Sequence, residues 1–390
     1  LLLRQPFAPD AFDQVILGCV NVIADEMNPA RVAALRLGMG EAMTAFTVQI
    51  NCGSGMQSID TAYRYIQEGI SDLILAGGAE SLSHAPLVFG RSAVNWYARL
   101  FGARDIWSRL AAFAQIRPSL FKPVIGLERG LTDPITDLNM GQTAELVGHL
   151  FHVTRRQADE YAAESQQRLA RAQREGVFEN EVEPAFGRDG TIFDHDDGVR
   201  PDSSADSLGK LKPAFERPWG KVTPGNSSQI TDGASWVILA SEDAVKAHNL
   251  TPRAVIVDSE WSALDPSIMG LGPVMCSTAL LRRHQLSLAD IELWELNEAF
   301  AAQVLGCLAA WQDAEFCREV LGLDGAAGAI PRDRLNVDGG AIGAGHPVGA
   351  SGNRIVLHLV NAMKRLGFKR GIATECIGGG QGGAMLIEMV

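Results

Sequence analysis

VQINCGSGMQ, Val48 to Gln57, runs from apolar residues into Cys52, turns on Gly53-Ser54-Gly55 and opens a helical pattern lasting to about Glu68. A strand that stops at a cysteine and turns on glycines into a helix leaves the sulfur at the helix N-terminus. Unpaired N–H groups and the positive end of the helix dipole favour thiolate there, and thiolate is the nucleophile. A buried, inert cysteine satisfies the same ten residues equally well. A buried strand, Asp72 to Ala76, follows the helix and ends in Gly77-Gly78-Ala79-Glu80-Ser81. Strand, helix and strand in quick succession predict a layered α/β unit.

The same order of elements returns at the far end. A glycine-rich turn (Gly339 to Gly352) leads to a helix (Asn353 to Arg365), a strand (Gly371 to Cys376) and a second glycine turn (Gly378 to Gly383). The letters barely match, so the reading is a degenerate internal duplication. Two such halves stacked face to face would bury both central helices and bring Cys52 near the loops at 346 and 376.

Between the two halves the signals vary. A strand is expected within 11–19 and a helix over 28–38, with Pro29 in its first turn. Strands are also expected at Ile230 to Ala240, Ala254 to Ser259 and Ile291 to Trp294, with helices starting at Gly272-Pro273 and Ser287 to Asp290. Residues 312–332 read as a surface insertion. From Leu82 to Ser228 the pattern loosens. Residues 92–122 carry Trp96, Tyr97, Phe101, Trp107, Phe113 and Phe121 among several arginines. They suit a lid, a membrane-surface hairpin, a partner-binding helix pair or a cover for the core. Residues 155–175 read as a charged helix with a solvated face, and 186–208 as a long loop.

At 390 residues the chain exceeds one ordinary core. A hydrophobic content of 46% with 41 glycines suits a tightly turned α/β enzyme. The formal charge of −12 argues against nucleic acid as a main partner but leaves room for a small anionic ligand. Cys19, Cys52, Cys276, Cys307, Cys317 and Cys376 form no C-x-x-C pair and no zinc-ligand spacing with histidine, so no metal site is expected. Scattered free thiols fit a reducing, cytoplasmic setting. No signal peptide and no membrane-spanning apolar run are visible. The opening Leu1-Leu2-Leu3 raises the expectation that upstream residues are missing.

Three late motifs supply what a cysteine nucleophile needs. Gly343-Ala344-Gly345-His346-Pro347 holds a histidine in a rigid turn, suited to taking a thiol proton. Cys376-Ile377-Gly378-Gly379-Gly380 offers a second thiol followed by bare backbone N–H groups that can hold an oxyanion. Asn297-Glu298-Ala299-Phe300 follows a strand and could orient a water or a carbonyl. Singly, each motif is also what an ordinary loop looks like; their order is what argues for a site.

The motifs NCGSG, GGAES, MGQTAE, GNSSQITDGA, NEAF, GGAIGAGHPVGASG and CIGGGQG resemble those of the thiolase family, from about residue 14 to the C-terminus. The resemblance implies a duplicated five-layer α-β-α-β-α fold with an inserted loop domain. Its N-terminal half would take 1–82 plus 229–252, its loop domain 83–228 and its C-terminal half 253–390. It implies an acyltransferase that makes or cleaves 3-ketoacyl-CoA, either acetyl-CoA C-acetyltransferase or acetyl-CoA C-acyltransferase. Cys52 would carry the acyl group, His346 would activate it, and Cys376 would move the α-proton. Asn297 would hold a water that forms one oxyanion hole with His346, and the backbone amides of Cys52 and Gly378 would form the other. Coenzyme A contacts would fall to Arg200, Ser207, Phe215 and Ser228. The thioester pocket would be lined by Met140 and Met269, with Ala299 and Phe300 of the NEAF motif. On a plainer reading Ser207 and Ser228 are turn residues.

Coenzyme A thioesters would be substrates, with no permanently bound cofactor. The chain would form a homodimer or a dimer of dimers, or serve as a subunit of a β-oxidation complex with peripheral membrane contact. The family's first strand, with its Arg-Thr-Pro turn, is absent. Asn139 stands where several short-chain biosynthetic members have histidine. The 92–122 segment resembles the thiolase subunit of the trifunctional β-oxidation complex more than a tetramerisation loop. The competing readings are a non-catalytic acyl-CoA-binding or scaffold subunit and, more remotely, a decarboxylating ketosynthase. The ketosynthase class has a second histidine where this chain has Asn297, and it lacks the second cysteine.

Overall fold

A computed structural model describes residues 1–390, the side chain of Leu3 excepted. Strand β1 (Gln14–Gly18) is followed by helix α1 (Pro29–Arg36), β2 (Thr44–Val48), α2 (Ser54–Gln67) and β3 (Leu73–Ser81). Asn28 caps α1 by accepting from the Arg31 N–H, and Pro29 follows as first helical residue, where a missing N–H costs nothing. β1 pairs in parallel with both β2 and β3. A long excursion intervenes: α3 (Arg91–Gly102), α4 (Ile106–Phe113), α5 (Met140–Leu150) and α6 (Arg155–Arg174). The chain then returns as β4 (Asp232–Ala240), antiparallel to β3, which completes a sheet in the order β2-β1-β3-β4.

The second half supplies β5 (Ala254–Ala263), α7 (Gly272–Arg283), β6 (Leu293–Leu296), α8 (Ala301–Gln312), α9 (Val348–Leu366), β7 (Arg370–Ile377) and β8 (Gln381–Met389). Its sheet runs β6-β7-β8-β5. β6 and β7 are parallel, and β8 is antiparallel to both β7 and β5.

The two sheets sandwich α2 and α9. Met56 and Ile59 of α2 and Ile355, Leu359 and Met363 of α9 meet Ile16 and Ile74 from the first sheet and Leu293, Ala373 and Met385 from the second. Each large side chain buried there contributes about 1.5–3 kcal/mol relative to exposure. The outer face of the first sheet is covered by α1 through Ala34 packed with Val15, Leu73 and Leu75. The outer face of the second is covered by α6, α7 and α8, where Trp294, Ile372 and Leu386 meet Leu280, Val304 and Tyr161. The architecture is therefore α-β-α-β-α, five layers deep.

Several expectations are corrected. Helix 155–174 is no mere solvated face: Ala158, Tyr161, Ala162, Ser165 and Leu169 are buried against the second half. Its arginine- and glutamine-rich sequence masked that face, because alanines carried the apolar stripe. Ser287 to Asp290 leads only a single 3₁₀ turn, Leu288–Asp290. Residues 312–332 are not wholly superficial, since Cys317, Leu321 and Ile330 pack into the outer core.

The central helix of the second half starts at Val348, not Asn353, and β8 absorbs Gly382 and Gly383. Glycines at these places are regular helix and strand residues chosen for close approach. A methyl at Gly349 would press on the Ala79 carbonyl, and one at Gly383 would press on the Trp261 ring.

Candidate active site

The loop that carries Cys52 is shaped first by its backbone geometry. Asn51 takes a left-handed conformation (φ 47°), which reverses the chain between β2 and α2. Ser54, at the start of α2, locks the reversal: its hydroxyl donates to the Asn51 carbonyl (2.7 Å) and accepts from the Ile50 N–H (2.9 Å). Cys52 is thereby held half-buried one residue before the Gly53 cap of α2. The Asn51 amide donates to the Gly378 carbonyl (2.7 Å), tying this loop to the glycine turn after β7. Gly379 and Gly380 take positive φ there, which leaves the Gly378 N–H directed at the Cys52 sulfur.

The thiol differs from the expectation. Burial, reinforced by the carboxyl of Glu375, pushes Cys52 up to about 12 against the lowering pull of the Gly378 and Cys52 N–H groups. The helix start therefore does not make a resting thiolate, because desolvation of the charge outweighs the dipole. Cys376 is fully buried and its thiol is raised well above the ordinary range by burial, with Cys52, Cys307 and Glu375 adding to the shift.

His346 is buried, and burial followed by the nearby Arg354 lowers it to about 4. Its Nδ1 lies 2.7 Å from the Ser351 hydroxyl, and that hydroxyl donates to the Pro347 carbonyl (3.1 Å). The Ser351 oxygen is then left to accept, which assigns the ring proton to Nδ1 and leaves Nε2 as the open lone pair. Asn297 stands beside the ring, its amide nitrogen 3.4 Å from Nδ1 and 3.5 Å from Nε2, and its buried Oδ1 has no partner among the described residues.

The walls come from the excursion between β3 and β4 and from the second half. Met140, Met269, Ala299 and Phe300 cluster around Cys376, and the Met140 sulfur lies at contact range of Gly378. Phe215 meets Phe300 edge to face at 6.3 Å. The Ser228 N–H donates to the Ala299 carbonyl (3.0 Å). Arg200 and Ser207 are not in this cluster. Arg200 is exposed, and its N–H donates to Gln166, whose amide donates in turn to the Ile342 carbonyl ahead of His346. The Ser207 hydroxyl is engaged in a reciprocal cap with Ser204. Asn139 caps α5 in the same reciprocal way with Gln142, which gives that residue a structural task.

Glu298 gave no sequence signal beyond its place in NEAF. It is buried and accepts from Tyr161 (2.9 Å), Ser165 (2.6 Å), Asn336 (3.1 Å) and the Ile342 N–H (3.2 Å). It thus joins α6, the 336–342 loop and the segment after β6 directly behind Asn297 and His346. Glu80 does similar work at the other side, accepting from the N–H groups of Val20, Asn21 and Gly349.

The chain matches the model of the thiolase N-terminal domain over residues 1–243 and that of the thiolase C-terminal domain over 250–389. The chain belongs to the thiolase family. It is 40% identical over 384 residues to a beta-ketoadipyl-CoA thiolase from Pseudomonas aeruginosa, covering 97% of this chain and 88% of that one. It is 37% identical over 392 residues to an acetyl-CoA acetyltransferase from Allochromatium vinosum, covering 100% and 90%.

Among solved structures, the Bacillus anthracis acetyl-CoA acetyltransferase superposes with a TM-score of 0.84 at 34% identity, covering 100% of this chain and 90% of that one. Human mitochondrial 3-ketoacyl-CoA thiolase in complex with CoA superposes with a TM-score of 0.84 at 36% identity, covering 100% and 89%. This thiolase is accordingly an acyltransferase acting on coenzyme A thioesters, and nothing in these comparisons favours a non-catalytic scaffold. Among the described residues, no helix of the thiolase is long and apolar enough to cross a membrane.

Proposed function

We propose that Cys52, His346, Cys376, Asn297 and Gly378 are the working residues, and that the reaction is the reversible conversion of 3-ketoacyl-CoA plus coenzyme A into acyl-CoA plus acetyl-CoA. The observation that supports the reading is the Gly378 N–H at the Cys52 sulfur, on the turn that follows Cys376, in a fold that also buries His346 with its Nδ1 on the Ser351 hydroxyl and Asn297 beside its ring. The Cys52 sulfur attacks the carbonyl as its proton passes to Nε2, so thiolate forms only as the carbon–sulfur bond forms. The developing oxyanion accepts from the Cys52 and Gly378 N–H groups. Collapse expels the leaving group, coenzyme A thiolate in condensation or the acetyl-CoA carbanion in thiolysis, which takes the Cys376 proton, and leaves the acyl chain on Cys52 as a thioester.

In the condensing direction the Cys376 thiolate left by that transfer takes the α-proton of acetyl-CoA, and the carbanion attacks the Cys52 thioester, breaking its carbon–sulfur bond and releasing Cys52, which recovers its proton from His346. A buried thiolate of raised pKa is a strong base, which suits a weakly acidic carbon. Asn297 would hold a water that shares the enolate oxygen with His346. Arg200, Ser207, Phe215 and Ser228 are proposed to contact coenzyme A, Phe215 being best supported by its edge-to-face contact with Phe300. The division into 1–82 with 229–252, 83–228 and 253–390 is retained as the proposed domain plan, supported by the return of β4 to the first sheet.

Cys376→Ser should leave acetyl transfer to Cys52 nearly intact. It should lower α-proton exchange and condensation by about 10²-fold or more, because the serine hydroxyl is a far poorer proton carrier here. Deuterium exchange into acetyl-CoA, followed beside peptide acetylation, checks this; equal loss of both half-reactions would remove the assignment.

Acyl specificity is proposed to extend beyond acetoacetyl-CoA, supported by the apolar lining of Met140, Met269, Phe215 and Phe300. Relative turnover of acetoacetyl-CoA and a long-chain 3-ketoacyl-CoA tests it. The outer edge of β2 is unpaired in the sheet order and suits a homodimer or dimer of dimers.

The helical hairpin α3–α4 is proposed to touch an anionic lipid surface. Trp96 is internal, 4% exposed with its indole N–H on the Ala112 carbonyl, so it belongs to the hairpin's own core. Phe101 (79%) and Trp107 (76%) are exposed with Ile106, Leu110 and Phe113. Arg91, Arg99, Arg104, Arg109, Arg117 and Lys122 are interspersed with them along the sequence, with Asp105 as the one acid over 91–122. A cationic, aromatic face on an acidic protein fits anionic headgroups. Phe101→Ser with Trp107→Ser should lower co-sedimentation with phosphatidylglycerol vesicles by about tenfold, at unchanged acetoacetyl-CoA cleavage. Equal binding of both proteins, or a matching loss of cleavage, would reject the contact.

A further inference from the structure

Glu375 is a buried carboxyl that the reaction outlined above does not use. Along β7, Thr374 turns outward to the Cys276 sulfur (3.5 Å). Gly371, Ala373, Glu375 and Ile377 face the central helices, as their neighbours Leu359, Gly352 and Gly53 attest. The Glu375 side chain is fully buried, and neither carboxyl oxygen has a hydrogen-bond partner among the described residues. A methyl added to Gly352 would overlap both the Glu375 carboxyl and the Met56 N–H. The carboxyl is thus wedged between the opening turns of α2 and α9, under the loop that carries Cys52.

The charged and titratable groups about it are few. Arg354 reaches it from α9, but no ion pair joins them, and the Arg354 Nε and Nη2 are themselves without partners among the described residues. Cys52 and Cys376 feel it from the site side. On the neighbouring strands, Glu295 stands in register with Ala373 on the same face, and Gly383 lies opposite Glu375. Burial holds the Glu375 carboxyl well above the usual carboxylate range, with Arg354 opposing. A negative charge at this point would sit beneath a sulfur that must itself become negative, in surroundings of low dielectric.

We propose that Glu375 is a positioning residue for the reaction: an uncharged carboxyl under Cys52 whose ionisation at higher pH opposes formation of the Cys52 thiolate. The proposal rests on Cys52 as the nucleophile. It adds a group that leaves the thiol chemistry unimpeded near neutrality and restrains it in alkali.

The test is the pH profile of iodoacetamide alkylation, read at the Cys52 peptide by mass, for the wild type, Glu375→Gln and Glu375→Leu. At pH 7 Glu375→Gln should react within about twofold of the wild type. In the alkaline range it should react about threefold or more faster, equivalent to about half a unit in thiol titration. Glu375→Leu should show the same alkaline gain. Superimposable profiles overturn the proposal, and so does a tenfold gain already present at pH 7, which would mean a carboxylate charged throughout. Label on another cysteine would instead remove the assignment of the nucleophile. Should neither variant fold, the wild-type profile decides: a rise of unit slope overturns the proposal, and a rise flattened over more than one pH unit supports it.

Discussion

Cys52→Ala should abolish thiolysis, with a loss on the order of 10⁴-fold or more, because no other group stands where the acyl chain must be held. Cys376, the nearest alternative sulfur, is fully buried and its thiol is raised well above the ordinary range. Acetyl-CoA should add one acetyl mass to the peptide containing Cys52 in the wild type and none in the variant. Label appearing on Cys376 in Cys52→Ala would exchange the proposed roles of the two thiols. His346→Ala should slow the acylation step itself by about 10²–10⁴-fold, since a thiol raised to about 12 depends on a base in contact during attack. An acylation rate unchanged in that variant would remove His346 from the step.

Glu298→Ala should cost about 3–5 kcal/mol of folding stability, the range expected when a buried polar hub is removed and its partners are left unpaired. Tyr161, Ser165 and the Ile342 N–H lose their acceptor together, while Asn336 keeps the Leu296 carbonyl. The loss should fall on the loop leading to His346 as well as on the global fold. Urea midpoints measure the effect on the global fold, and the acylation rate of the surviving folded fraction the effect on the loop. A midpoint within error of the wild type would show that α6 and the 336–342 loop do not depend on Glu298.

The five-layer plan was legible because its signals were local: a strand, a glycine turn and a helix around Cys52, then the same order around His346 and Cys376. Element boundaries failed where glycine was read as a breaker. Gly349 and Gly352 lie inside α9 and Gly382 and Gly383 inside β8, since close packing, not turning, selects glycine there. The Cys52 environment failed for a different reason. A helix start can be read from sequence, but the desolvation that overrides it depends on what is packed above. Glu298, Glu80, Ser351 and Glu375 were silent because their partners lie on distant segments, and pairings of that kind leave no periodicity to detect.

The approach of α2 to α9 constrains how this protein can change. A methyl at Gly55 would press on the Asn353 N–H and on the carbonyls of Gly349 and Ala350. The two halves therefore meet main chain to main chain in the turns that deliver Cys52 and His346. Main-chain contacts have no side chains to trim, so drift in either half cannot be answered by a compensating substitution in the other. Innovation in substrate choice must then be confined to segments outside this contact: the α3–α4 excursion, the helix opened by Met140, and the loop carrying Phe215. The proposed chemistry sits at a joint shared by both halves, while the long excursion between β3 and β4 lies outside that contact.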